Sequence, residues 1–150
     1  MTLLASLFDF HRGYPNGSAL AWPFLIKKTA GVPATIAAGS IVTQELSGTD
    51  TVIDLATTPN TSIADPVSPW LVMEGNDGYS GTFVEKVNAV RLGTGIVWRT
   101  DDYAAGTYTP GVAVSFSAGQ VKVKAANEQI IGHVLEDLTA TVGVVVIADY

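Results

Sequence analysis

From residue 40 onward the sequence is a succession of short runs rich in Val, Ile and Thr, separated by Gly, Pro, Asn and Asp. β-Branched residues favour strands, and these turn residues close them. The runs recur about every 8–12 residues, a spacing typical of a barrel or sandwich. The chain is therefore predicted to be all-β. We predict strands over residues 40–46, 51–55, 70–74, 82–87, 95–99, 112–116, 120–124, 130–135 and 142–147.

Two of these runs indicate which faces of the strands are buried. Residues 120–124 alternate strictly, so Val121 and Val123 are predicted to face inward and Lys122 and Lys124 to face solvent. The run 144–147 is apolar on both faces, which predicts a central strand, or one whose outer face meets another element or subunit. Residues 128–138 also admit a short helix, but Gly132 and two adjacent isoleucines favour a strand.

The first part of the chain follows a different pattern. A chain of 150 residues can bury one sizeable core but not two independent ones. Residues 1–29 show neither a strand period nor a helical period, so we predict an extended amino-terminal arm over 1–30 and a β-domain over 31–150. The arm contains five of the thirteen aromatic residues, which need a surface to bury them, either their own core or a partner protein. The predicted interface residues are Phe8, Phe10, Tyr14, Trp22 and Phe24.

Charge and composition exclude several classes of partner. The net charge is -6, and the pair Lys27–Lys28 is the largest cluster of basic residues, which argues against binding to nucleic acid. With no cysteine, the chain has no thiol nucleophile and no Cys-ligated zinc or iron-sulfur cluster. The apolar opening at residues 3–8 is far shorter than the ~20 residues of a membrane span and has no basic stretch before it. We expect synthesis in the cytoplasm and no membrane partner.

Motifs that carry chemistry are few. His11 and His133 are far apart and do not form a metal-binding pair. The acidic pairs 101–102 and 136–137 do not fit a calcium loop, so we interpret them as solvated carboxylates. The sequence contains no G-x-S-x-G, so a hydrolase would need scattered residues. We predict no enzymatic activity, no cofactor and no metal.

A second interpretation of the aromatic residues is a sugar-binding platform. Aromatic faces suit pyranose rings, and a polar surface of low charge is compatible with a carbohydrate-binding β-module. For the two tryptophans concerned, core packing is the favoured interpretation because their neighbours are β-branched or aliphatic. The residues considered for this platform are Trp70, Trp98, Tyr79, Tyr103 and Tyr108.

Four segments of the last third carry a resemblance to a known family. They are residues 106–115 (GTYTPGVAVS), 118–121 (AGQV), 128–136 (EQIIGHVLE) and 143–147 (GVVVI). In this order they resemble the small decoration, or cement, proteins of tailed-phage heads. Residues 38–42 and 70–75 fit the opening strands of that family, so the resemblance covers about residues 36–150. The long aromatic amino-terminal segment is a departure from the shortest members.

The resemblance implies a fold and a function. The fold is a compact β-barrel with a tulip-like shape. The function is structural: a homotrimer sits at local threefold positions on the outer surface of an icosahedral capsid and braces neighbouring capsomers. Its partners are the major capsid protein and further copies of itself, its location is the virion, and it brings no catalytic residues. The alternatives are the carbohydrate-binding β-module and a tail-tube or fibre component of a phage virion.

Overall fold

The computed structural model describes residues 8–12, 21–57, 68–77, 85–93, 96–138 and 143–148. These ranges contain strands and no helix, so the predicted all-β class is confirmed. Within them, no helix has the length and hydropathy needed to cross a membrane. The strands are β1 (Phe8–Arg12), β2 (Ala21–Ile26), β3 (Lys28–Thr29), β4 (Val32–Pro33), β5 (Ile41–Ser47), β6 (Asp50–Leu55), β7 (Trp70–Glu74), β8 (Lys86–Arg91), β9 (Val97–Thr100), β10 (Ala113–Ser117), β11 (Gln120–Val123), β12 (Gly132–Leu138) and β13 (Gly143–Ala148).

Five of the strands form a closed barrel in the order β2-β6-β5-β7-β8. Closure depends on β2, which pairs antiparallel with β8 and parallel with β6. Inward side chains fill so small a barrel, so its interior is a packed core. That core consists of Phe24, Ile26, Ile36, Val42, Ile53, Val72, Val87 and Ala89.

Six strands form a second sheet in the order β1-β9-β13-β12-β10-β11. The prediction that the run apolar on both faces is a central strand is confirmed, because β13 lies between β9 and β12. Val144 and Val146 are fully buried, and Val145 on the opposite face is only 6% exposed. β13 begins at Gly143, whose φ of +108° and close approach to the Thr100 carbonyl oxygen leave no room for a side chain.

The inner face of this sheet packs on the outside of the barrel and creates a second core. Strands β5, β7 and β8 contribute residues to both cores, so the two cores are not independent and the chain forms one domain. The second core contains Ile41, Ala56, Leu71, Val90, Leu92, Ile96, Trp98, Tyr108, Val114, Phe116, Val121, Ile131, Val134, Val144, Val146 and Ala148.

The described barrel does not begin at the predicted boundary between an arm and a β-domain at residue 30, because residues 21–26 already form β2. β2 closes the barrel, Phe24 and Ile26 are buried inside it, and residues 28–33 form the small β3–β4 hairpin. β2 could not be recognised as a strand from the local sequence, because the strands with which it pairs, β6 and β8, lie far along the chain. In the remaining part of the predicted arm, residues 8–12 form β1, which pairs with β9 at the edge of the six-stranded sheet. Residues 1–7 and 13–20 lie outside the described residues.

The other strand predictions mostly agree with the structure. The predicted strands 40–46 and 51–55 pair as the hairpin of β5 and β6 at six positions, and residues 132–138 form a strand and not a helix. Val121 is buried as predicted, while Lys122 is largely shielded by an ion pair to Glu128 at 2.6 Å. Residues 58–67, between the predicted strands 51–55 and 70–74, and residues 82–84, in a predicted strand, lie outside the described residues.

A buried asparagine closes one end of the barrel. Asn76 Oδ1 accepts a hydrogen bond from the backbone N–H of Ile36 at 2.7 Å, and its Nδ2 donates to the Ala34 carbonyl at 2.9 Å. The backbone of Asn76 also donates to the Ile36 carbonyl at 2.9 Å. The preceding Gly75 lies so close to the Ile36 carbonyl oxygen that a Cβ would collide with it. This residue pair therefore fixes the segment that carries Ile36 into the barrel core.

Candidate functional site

A groove of about 500 Å³ lies on the barrel beside β2. β2 pairs with β6 at Leu25 and Ile26. The residues of β2 that precede Leu25 are not paired with β6, and the groove lies between them and strands β5 and β6. A concave volume of this size lies within the usual range of small-ligand sites. The groove is lined by Trp22, Pro23, Phe24, Leu25, Gln44, Thr51 and Lys86.

Aromatic packing fixes one wall of this groove. The rings of Phe24 and Trp70 pack edge to face with centroids 4.7 Å apart. The indole Nε1 of Trp70 donates to Gln44 Oε1 at 3.2 Å, which orients the amide of a groove residue. Trp22 is different, because 56% of it is exposed although it lies only two residues from the buried Phe24. The groove therefore combines a fixed polar group with an accessible indole.

The charges around the groove are unevenly compensated. Lys27 contacts Glu45 at 2.7 Å and Asp54 at 3.6 Å, and Lys28 contacts Glu85. The hydrogen bond to Glu45 is the main reason that the pKa of Lys27 is raised. By contrast, no carboxylate of the described ranges forms an ion pair with Lys86, which lines the groove. Lys86 is thus the cation available to a ligand there.

The five predicted interface residues are not brought together as one described surface. Phe24 is a core residue, 7% exposed, whereas Trp22 is exposed. Phe8 and Phe10 lie in β1, where they pair in register with Thr100 and Trp98. Their side chains and the whole of Tyr14 lie outside the described residues.

The five aromatic residues of the alternative sugar platform are also separated in the structure. The prediction that Trp98 belongs to the core is confirmed, since it is fully buried. Tyr108 is buried too, packs edge to face on Tyr103, and donates its hydroxyl to the Ala104 carbonyl at 2.6 Å. Burial raises the pKa of Tyr108 to about 12. Trp70 is half-buried beside the groove, and Tyr79 lies outside the described residues.

The histidines and acidic residues that were considered as candidate ligands lie in or beside paired strands. Asp102 Oδ1 accepts a hydrogen bond from Gln120 Nε2 at 2.7 Å, and His133 occupies a β12 position paired with Ile147. His11 lies in β1, and its side chain is outside the described residues. Across the ranges that the structure describes, no group of three or more His, Asp or Glu side chains is placed to hold a metal ion.

Sequence reasoning missed the three polar residues of the groove, which are Gln44, Thr51 and Lys86. Each occupies an ordinary polar position on its own strand, and they come from β5, β6 and β8. They meet Trp22 only because the barrel closes through β2. No local pattern could have identified them, since the pairing that assembles them is between distant segments.

Comparison with known proteins gives no match, whether with family models, curated proteins or solved structures. The function of this chain is therefore inferred from its own residues and from their placement.

Proposed function

We propose that this protein is a decoration protein that binds the outer surface of a tailed-phage capsid and stabilises it by bridging neighbouring capsomers. The proposal starts from the order of short sequence motifs in residues 36–150, which resembles the decoration proteins. Its further support is the position of those motifs in the fold.

The observation that carries the proposal is that the motif segments are spatial neighbours. The four carboxyl-terminal segments each overlap one of the strands β10, β11, β12 and β13, which are adjacent in the six-stranded sheet. The two upstream segments contain the start of β5 and the whole of β7, which pair at Ile41 and Leu71. Each of the two patches thus brings together segments that span about 40 positions of sequence, 38–75 in one patch and 106–147 in the other.

We place the attachment to the capsid in residues 1–20. Phe8, Phe10 and Tyr14 lie in this segment, and an aromatic side chain that becomes buried contributes about 150–250 Å² to an interface. Among the described strands, β1 is at the edge of its sheet and pairs with β9, whereas β2 is part of the closed barrel. The attachment segment is therefore separable from the barrel, and Phe24 is excluded from it by burial.

Add-back to heads that lack the protein tests the proposal. Heads of the phage that encodes this chain are prepared without it, mixed with the purified full-length chain and sedimented. We expect saturable binding and heads that withstand a higher temperature before they release DNA. Sedimentation with isolated tails, and no binding to heads, would favour the tail-component alternative and overturn the proposal.

A truncated chain of residues 21–150 tests the attachment segment. Because the barrel is complete without β1, we expect cooperative unfolding to remain and retention on heads to fall at least tenfold. Trp22→Ala in the full chain is the matched control, since it removes an exposed aromatic residue outside the proposed segment. A folded truncated chain that binds heads as well as the full chain does would refute this assignment.

A further inference from the structure

The groove on the barrel has no part in the proposed attachment to heads. We propose that it binds a saccharide that carries an acidic substituent, with Trp22 stacking on a pyranose ring and Lys86 contacting the acidic group. The ligand would be a glycan and not a protein, and its binding would be independent of the capsid.

The exposed indole of Trp22 is the first feature of the groove that favours a saccharide. A soluble protein gains by burying tryptophan, so an indole that is 56% exposed beside a concave surface is a feature that a ligand would use. The flat face of an indole suits the apolar face of a pyranose. Pro23, also exposed, extends this wall, while Phe24 lies beneath it in the barrel core.

The polar side chains of Gln44 and Thr51 also line the groove. Gln44 lines the groove with its amide oxygen held by Trp70 Nε1, so its two amide N–H donors have a defined orientation. Thr51 adds a hydroxyl, which both donates and accepts. Both residues lie on paired strands of the barrel, so the site is preorganised and little ordering is needed when a ligand binds. Sugar hydroxyls are matched by groups of this kind.

The charge and the volume of the groove favour a saccharide with an acidic substituent. Lys86 lines the groove, whereas no carboxylate is among the lining residues, although the whole chain carries a net charge of -6. A local cation in an acidic protein selects an acidic substituent at short range, because interactions beyond about 8–10 Å are screened by salt. A volume of about 500 Å³ is large enough for a short oligosaccharide.

The first experiment identifies the ligand class. Fluorescently labelled full-length protein is applied to a printed array of neutral oligosaccharides and of matched oligosaccharides that contain uronic or sialic acid. We expect binding to acidic members. Binding to none of them, or to neutral ones only, would overturn the proposal.

The second experiment locates the site by calorimetric titration of the strongest acidic oligosaccharide found on the array. We expect Trp22→Ala to weaken binding at least tenfold and Trp22→Phe to restore part of it. Leu46→Ala is the control, because Leu46 is a 78% exposed apolar residue that does not line the groove. Equal losses in Trp22→Ala and Leu46→Ala, or no loss in Trp22→Ala, would show that the groove is not the site.

The role of Lys86 is tested by Lys86→Gln. We expect this variant to bind the acidic oligosaccharide and its neutral counterpart with similar affinity, and we expect the wild-type preference for the acidic one to decline as salt is added. An unchanged preference in Lys86→Gln would refute the assigned role.

Trp22→Ala should still sediment with heads, so failure of the glycan proposal and failure of the proposed capsid function are distinguishable. Loss of head binding by a folded Trp22→Ala, without loss of glycan binding, would assign the groove to the capsid.

Discussion

Ile41 and Val42 are adjacent in the sequence, fully buried, and located in different cores. Ile41 packs between the barrel and the six-stranded sheet, and Val42 packs inside the barrel, because successive side chains of a strand point to opposite faces. Leu71 and Val72 repeat this arrangement on β7. Strands that are buried on both faces hold the barrel and the sheet together as one domain.

The first prediction concerns the largest side chain of the core between barrel and sheet. Trp98 is fully buried, so Trp98→Ala is expected to lower the free energy of unfolding by about 3–5 kcal/mol. Leu46→Ala is the control and should change it by less than about 0.5 kcal/mol, because Leu46 is exposed. Chemical denaturation measures both. A loss below about 1 kcal/mol for Trp98→Ala would contradict the described core.

The second prediction concerns the asparagine that closes the barrel end. Asn76→Ala removes two hydrogen bonds and leaves the N–H of Ile36 and the carbonyl of Ala34 without their partner. Buried groups that lose a partner make the expected loss about 2–4 kcal/mol. Asn88→Ala is the matched control, since its side chain bonds to Glu74 at an exposed position and should cost less than about 1 kcal/mol. Equal losses in the two variants would refute the closing role.

The third prediction is a pH dependence centred on Glu128. Burial raises the pKa of this carboxyl, but hydrogen bonds from Lys122 and from the backbone N–H of Ala125, with the charge of Lys122, outweigh burial and lower it. A folded pKa below the unfolded value of 4.5 stabilises the fold above that pH, and the stabilisation is lost as the pH falls through the folded pKa.

Glu128→Gln tests this dependence. Between about pH 5.5 and pH 3, wild type should lose more unfolding free energy than Glu128→Gln does, and the two stability curves should converge at the acidic end. Glu85→Gln is the control, since Glu85 contacts Lys28 at an exposed position. Parallel curves for wild type and Glu128→Gln would contradict the prediction.

The fourth prediction is the homotrimer that the resemblance implies. The structure accounts for the doubly apolar β13 within one chain, because Val145 is already 6% exposed there, so this strand does not itself require a second copy. The trimer therefore depends on the proposed function alone. Native mass spectrometry at micromolar concentration is expected to give three copies, stable on moderate dilution. Monomer at every concentration would contradict a trimer in solution.

The sequence was informative where one local pattern decides the outcome. The apolar run 144–147 predicted a central strand, and the runs 40–46 and 51–55 predicted the strands β5 and β6, because turn residues and face patterns are local. β2 was missed for the opposite reason. Pro23 lies within it, it shows no alternation, and it is a strand because β8 and β6 pair with it.

The candidate groove depends on the same distant pairing. Trp22 was identified from the sequence as an aromatic residue that needs a surface, but Gln44, Thr51 and Lys86 are unremarkable on their own strands. Only closure of the barrel brings the four residues to one site. The composition of the groove is therefore a tertiary property, while the segments that resemble decoration proteins are visible in sequence order.

The proposed decoration function is tested most directly by electron cryomicroscopy of tailed-phage particles assembled with and without this chain. The account predicts density outside the capsid shell at local threefold positions, into which the barrel and the six-stranded sheet fit, and bare positions in virions that lack the chain. A bare outer surface in the wild-type virion, with the matching density in the tail or nowhere in the particle, would contradict it.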